Sequence, residues 1–137
     1  MSALLDTGFL LAVLDRDDKA HERCVDVLLR ETDPVLADVV IPELAYMVLR
    51  ELGYPVLIGF LESLIAGELT FERATLADFA RATEIFRKYA DSRIDFVDGV
   101  LIAMAERRSI QRILTLDRRH FQLVRPQHCD FLTILPE

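Results

Sequence analysis

The chain has 137 residues and a formal net charge of -7, with 16 Lys and Arg against 23 Asp and Glu. That length fits one compact domain, residues 1–137, since two would each lack a self-sufficient core, and 28% charged residues argue against disorder and membrane embedding. Cys24 and Cys129 have no C-x-x-C or His spacing, so they read as reduced, packed side chains rather than a disulfide or a thiolate metal site.

The hydrophobic fraction of 52% exceeds what one such interior needs, so some apolar surface is expected to meet a partner. No apolar run reaches the length of a membrane span, and the first residues lack the basic flank and cleavage site of a signal peptide. The expected location is the cytoplasm.

Along the chain, Ala3, Leu4 and Leu5 read as a buried strand ending at Asp6 and Thr7, with a short helix from Phe9 to Leu14 directly after it. Asp17 or Asp18 can cap a second helix through about Arg30. Val35 to Ala37 and Val39 to Ile41 read as strand or extended runs, and Pro42 suits the first position of a helix that carries Glu43 and stops at Gly53. The segment Tyr54 to Ala66 is apolar on more than one stripe and is expected to meet neighbours on two sides.

Leu69 to Phe71 reads as a short strand, and Thr75 opens a clear amphipathic helix through Phe79, Phe86 and Tyr89. A further helix runs from Asp95 to Ala105 and beyond, with acids at its entrance and Arg107 and Arg108 at its exit, as the helix dipole favours. Arg112 to Leu116 is another buried strand ending at Asp117, and Phe131 to Leu135 is a last one. Strands alternating with helices predict an α/β fold, a mostly parallel sheet covered on both faces.

Asp6 and Asp117 each follow a short apolar strand, which puts them on one edge of a parallel sheet, where α/β proteins build their sites. Glu43 at a helix start and Asp98 in a first helical turn can converge on that edge. Four carboxylates held within a few ångströms repel one another and take up protons unless a cation joins them. Hard oxygen donors point to Mg2+, with Mn2+ as its substitute, and such ions activate water for phosphodiester cleavage. Zinc fits less well, because no His or Cys has ligand spacing to these acids.

Each acid alone also reads as an ordinary cap. The joint pattern is more specific. Asp6, Thr7, Gly8, Phe9 and Leu10; Pro42, Glu43, Leu44 and Ala45; Asp98, Gly99, Val100 and Leu101; and Thr115, Leu116, Asp117, Arg118, Arg119, His120 and Phe121 resemble, in order and approximate spacing, the four acidic motifs of PIN-domain ribonucleases of the VapC toxin type. The match spans nearly the whole chain.

The resemblance implies a three-layer α/β/α domain, a metal held by the acidic quartet, endonucleolytic cleavage of RNA, and a cognate VapB-like antitoxin covering the site. By position, Asp6 and Asp98 look like the principal metal ligands. Glu43 looks like a ligand or the orienter of the attacking water, and Asp117 like a fourth member with a looser role. Thr7 and Thr115 look like hydroxyls supporting the ligands. Gly99 departs from the Ala usual in relatives and is expected to let backbone or RNA approach closely.

Asp95 is read as a helix cap in preference to an accessory ligand. From Ala105 to His128 six arginines face two acids, a locally basic stretch. Arg107, Arg108 and Arg112 read equally as a solvated face or as RNA contacts, whereas Arg118 and Arg119 adjoin Asp117 and are assigned to RNA phosphate. His21, His120 and His128 are read as surface or packing residues rather than general acids. A homodimer is expected, with an amphipathic antitoxin segment in an apolar groove of the early helices. Two competing readings are a catalytically silent PIN-like module that binds RNA or protein, and a phosphotransfer domain using Asp6 as nucleophile; the latter lacks the second acid two residues on, where Gly8 stands.

Overall fold

A computed structural model describes residues 1–137. Five strands, β1 (Ser2–Leu5), β2 (Asp33–Ala37), β3 (Thr70–Glu72), β4 (Arg112–Leu114) and β5 (Thr133–Leu135), form one sheet in the order β3-β2-β1-β4-β5. Every neighbouring pair is parallel. Leu4 lies opposite Val35 on one side and Ile113 on the other, and all three are buried, as a sheet covered on both faces requires.

Seven helices connect the strands: α1 (Thr7–Leu14), α2 (His21–Leu29), α3 (Ile41–Glu51), α4 (Tyr54–Ile65), α5 (Leu76–Lys88), α6 (Phe96–Arg108) and α7 (Arg119–Leu123). From β1 the chain steps outward to β2 and β3, then crosses back to β4 and β5. Right-handed crossovers therefore put α1 to α4 on one face and α5 to α7 on the other, the three-layer α/β/α architecture expected. The direction of winding reverses between β1 and β4, so the crevice at their carboxyl ends is the switch point where such sheets bind ligands.

α6 is the central helix. Val97 through Ala105 are all buried, and over that stretch the helix is apolar on every side except for the single charge of Asp98. α5 covers it, opened by a reciprocal cap in which Thr75 accepts from the Asp78 amide and Asp78 accepts from the Thr75 amide.

Several boundaries differ from the sequence reading. Val39 to Ile41 is not extended: a 3-10 turn spans Asp38–Val40 and α3 begins at Ile41. Pairing on β2 ends at Ala37 opposite Glu72, and beyond it the backbone satisfies its hydrogen bonds by coiling. α2 starts at His21, since Asp18 accepts from the Ala20 amide in a turn ahead of the helix. α4 buries only Phe60, leaving Tyr54, Ile58, Leu61 and Ile65 exposed, so within the chain it meets neighbours on one side.

Candidate active site

Asp6 is the first residue past β1 and the N-cap of α1. Its amide extends the ladder to the Leu114 carbonyl at 2.9 Å, which locks the end of β1 to the end of β4. The carboxylate accepts from the Thr7 amide at 2.8 Å on Oδ1 and from the Thr115 hydroxyl at 2.7 Å on Oδ2. Burial pushes this carboxyl above its ordinary value; the Thr115 and Thr7 hydrogen bonds oppose the rise, and the charges of Glu43 and Asp117 add to it.

Asp98 projects from the first turn of α6 and is 4% exposed. Burial first, and then the neighbouring charge of Asp6, push its carboxyl up to about 7 against a hydrogen bond from His120. Two buried carboxyls, both with raised proton affinity, are therefore held at the switch point. Glu43, in the first turn of α3, and Asp117, just past β4, are exposed. Together with Asp6, Thr7, Asp95 and Asp98 they line one cleft. The four acids named from sequence thus converge.

The residues present fit a hard divalent cation. The cleft offers carboxylate oxygens from four chain segments, and Thr7 Oγ1 is a buried hydroxyl without a hydrogen-bond partner on its wall. A positive charge among these groups would offset the burial and the like charges that raise the proton affinity of Asp6 and Asp98. Donor atoms of Asp98, Asp117 and His120 also lie within 4.8 Å of one another.

Thr115 is buried, and besides donating to Asp6 its hydroxyl accepts from the Asp117 amide at 3.0 Å. Asp117 in turn accepts from the Arg119 amide at 3.2 Å and so shapes the turn into α7. Asp95 occupies the N-cap position of α6, but its side chain makes no capping bond and lines the acidic cleft instead.

The basic residues sort differently from the expectation. Arg118 donates to the Pro136 carbonyl at 2.9 Å and lines a different cavity, away from the acids, because the last strand passes beside it. Arg119 is exposed and lines a shallow pocket with Arg93 and Gln122. Arg107 grips Asp78 and Glu72, Arg108 pairs with Glu72, and Arg112 pairs with Glu31. These three pair with acids from other elements, which resolves their even reading in favour of structure.

Two further corrections concern Gly99 and His120. A Cβ at Gly99 would sit 2.4 Å from Phe86 Cε1, so the glycine admits the ring of α5 against α6 rather than RNA. His120 is buried in the site with Nδ1 2.6 Å from Asp98 Oδ2, whereas His21 and His128 bond the backbone carbonyls of Ala12 and Ile110. The only sequence signal for His120 was its nearness to Asp117.

An oxygen-rich acidic cleft at the switch point of a parallel α/β sheet defines the class: a three-layer α/β/α protein with a cluster of carboxylates at the carboxyl ends of β1 and β4. The sequence profile of the PIN domain matches residues 3–125, and the chain belongs to the PIN-domain family. It is similar to Ribonuclease VapC26 of Mycobacterium tuberculosis (strain ATCC 25618 / H37Rv), with 31% identity over 134 residues, 97% of this chain and 99% of that protein. Among solved structures, Mycobacterium tuberculosis VapC20, a Sarcin-Ricin loop cleaving toxin, superposes with a TM-score of 0.79 at 18% identity, over 86% of this chain and 92% of that one. VapBC2 from Rickettsia felis, bound to a DNA fragment from its promoter, superposes with a TM-score of 0.70 at 13% identity, over 98% of this chain and 97% of that one. These two share the fold, and the likeness drawn from the four acidic motifs holds.

Proposed function

We propose that this chain is a divalent-cation-dependent endoribonuclease and the toxin of a VapBC-type pair, acting in the cytoplasm as one PIN domain. The observation that carries the reading is the buried pair Asp6 and Asp98, both pushed toward protonation, joined in one cleft by Glu43 and Asp117. A bound Mg2+ or Mn2+ supplies an activated water and stabilises the leaving oxygen of a phosphodiester. Asp6 and Asp98 bind that ion, Glu43 at the exposed rim binds it or orients the water, and Asp117 closes the set. Thr115 and Thr7 support Asp6, and the Thr7 hydroxyl keeps its own hydrogen-bonding capacity free. Arg119, with Arg93 beside it, takes the RNA phosphates.

Support for the antitoxin comes from the likeness in fold to VapBC2 and from a separate apolar groove along α1. Leu10, Val13 and Leu14 of α1, Leu28 and Leu29 of α2, and Val56 and Phe60 of α4 line it, a surface suited to one face of an amphipathic helix. The exposed apolar side chains Tyr46, Leu49, Tyr54, Ile58, Leu61 and Ile65 of α3 and α4 serve a homodimer. A catalytically silent module has no physical need for so many clustered carboxylates.

The direct test incubates purified chain with RNA in Mg2+, in Mn2+ and in chelator. Internal cleavage in either metal, lost in chelator and in Asp6→Asn, is the expected result. Undiminished cleavage in chelator would sink the metal dependence, and metal binding without cleavage of any RNA would favour the silent module.

A further inference from the structure

Asp98 and His120 stand on different helices, both buried, with His120 Nδ1 2.6 Å from Asp98 Oδ2. On the other edge of the ring, Arg119 Nη2 lies 3.0 Å from His120 Nε2. A guanidinium only donates, so Nε2 is the bare nitrogen of the ring. The single ring proton then sits on Nδ1 and is donated to Asp98. Both nitrogens are engaged, so the imidazole is not offered to a cation even though it lies among possible donors.

A carboxylate that must meet a metal at a fixed angle gains from having one oxygen tied, since its rotamer is then set before the ion arrives. Asp6 has that support from Thr7 and Thr115. Asp98, emerging from the buried stretch of α6, has His120 as its hydrogen-bonding side chain. Arg119 is exposed at the outer end of the chain of contacts, where it fixes which nitrogen carries the proton.

We propose that His120, its tautomer set by Arg119, is a positioning residue that holds Asp98 through Oδ2 and leaves Oδ1 to the cation. The proposal rests on the reading of Asp98 as a metal ligand. It differs from a packing role in what substitution should do. Asn carries an N–H at the position of Nδ1 and can replace the bond; Leu fills the space without it.

The test measures Mn2+ affinity, by titration followed with electron paramagnetic resonance, in the full chain and in His120→Leu, His120→Asn and Asp98→Asn. His120→Leu should bind Mn2+ about 10- to 100-fold more weakly, His120→Asn should recover most of the loss, and pulsed spectra of the wild type should show no imidazole nitrogen bound to the ion. Nitrogen NMR of the metal-free wild type should show the Nδ1–H tautomer. Wild-type affinity in His120→Leu, a metal-bound imidazole, or an Nε2–H tautomer would each overturn the proposal, and the last two need no variant to fold. If Asp98→Asn binds Mn2+ normally, the ligand reading falls and takes the proposal with it. If Asp98→Asn is defective and His120→Leu is not, only the proposal falls.

Discussion

Thr115 and Asp6 lie 109 positions apart in the chain, and the Thr115 hydroxyl donates a 2.7 Å hydrogen bond to Asp6 Oδ2. The bond crosses from the end of β4 to the end of β1, the two strands flanking the switch point. The same hydroxyl accepts the Asp117 amide at 3.0 Å, so one side chain sets two members of the acidic cleft.

Thr115→Val removes that donor from a buried carboxylate whose proton affinity it holds down. The variant should lose about 10-fold or more in cleavage rate at limiting Mg2+ and about 1–2 kcal/mol of stability, while Thr115→Ser keeps most of both. Cleavage assays across a Mg2+ titration, with chemical denaturation alongside, check this. Wild-type behaviour in Thr115→Val with loss in Thr115→Ser would assign the residue's contribution to its methyl group.

Asp98 supplies a pH dependence. In the metal-free chain burial and the Asp6 charge lift its carboxyl to about 7, while in the unfolded chain it ionises near pH ~4. Between those values the folded state holds a proton that the unfolded state has lost. Stability is therefore greatest on the acid side of the window and falls as pH rises through it. Asp98→Asn removes the penalty and should be more stable than wild type at pH 8 in chelator by about 1 kcal/mol or more, with the gain shrinking toward pH 4. Thermal melts at the two pH values decide it, and a gain independent of pH would contradict the assignment.

Gly99 gives a packing prediction with two opposing contributions. Ala is the better helix former by about 1 kcal/mol, but its Cβ would overlap the Phe86 ring, with Cζ at 2.6 Å and Cε1 closer still. Gly99→Ala alone should destabilise by about 1–3 kcal/mol. Combined with Phe86→Leu it should cost less than the sum of the two single changes. Strict additivity would mean that the ring does not occupy that space.

Arg107 and Arg119 should separate cleanly. Asp78 is a buried carboxylate that caps α5 and accepts from Arg107 Nε at 2.9 Å and Nη2 at 3.0 Å. Arg107→Ala strands it and should cost about 3 kcal/mol with RNA affinity unchanged. Arg119→Ala should weaken RNA binding and reduce its salt dependence by about one ion. Filter binding at several salt concentrations reads both, and an RNA defect confined to Arg107→Ala would reverse the assignment of the basic residues.

Much of the site was legible because its logic is local. An acid just past a short apolar strand reports a strand's carboxyl end, and Asp6 and Asp117 stand where that rule puts them. Glu43 after Pro42 and Asp98 early in its helix are equally local signals. What was not legible depends on pairs distant in sequence. His120 acquires its place only through Asp98, 22 residues earlier and on another helix. Arg107 and Arg112 form a basic run in sequence, yet their partners Asp78 and Glu31 arrive 29 and 81 positions away. Gly99 looked like an opening toward RNA because Phe86 belongs to a separate helix. Five carboxylates in one cleft account for much of the net charge of -7.

The central claim, cleavage of RNA by the acidic cleft, is tested most directly by sequencing RNA ends in cells shortly after the wild-type chain or Asp98→Asn is induced to equal levels. New internal 5′ ends at a restricted set of sites should appear with the wild-type chain and be absent with the variant. The same ends with both chains, or new ends with neither, would contradict the account.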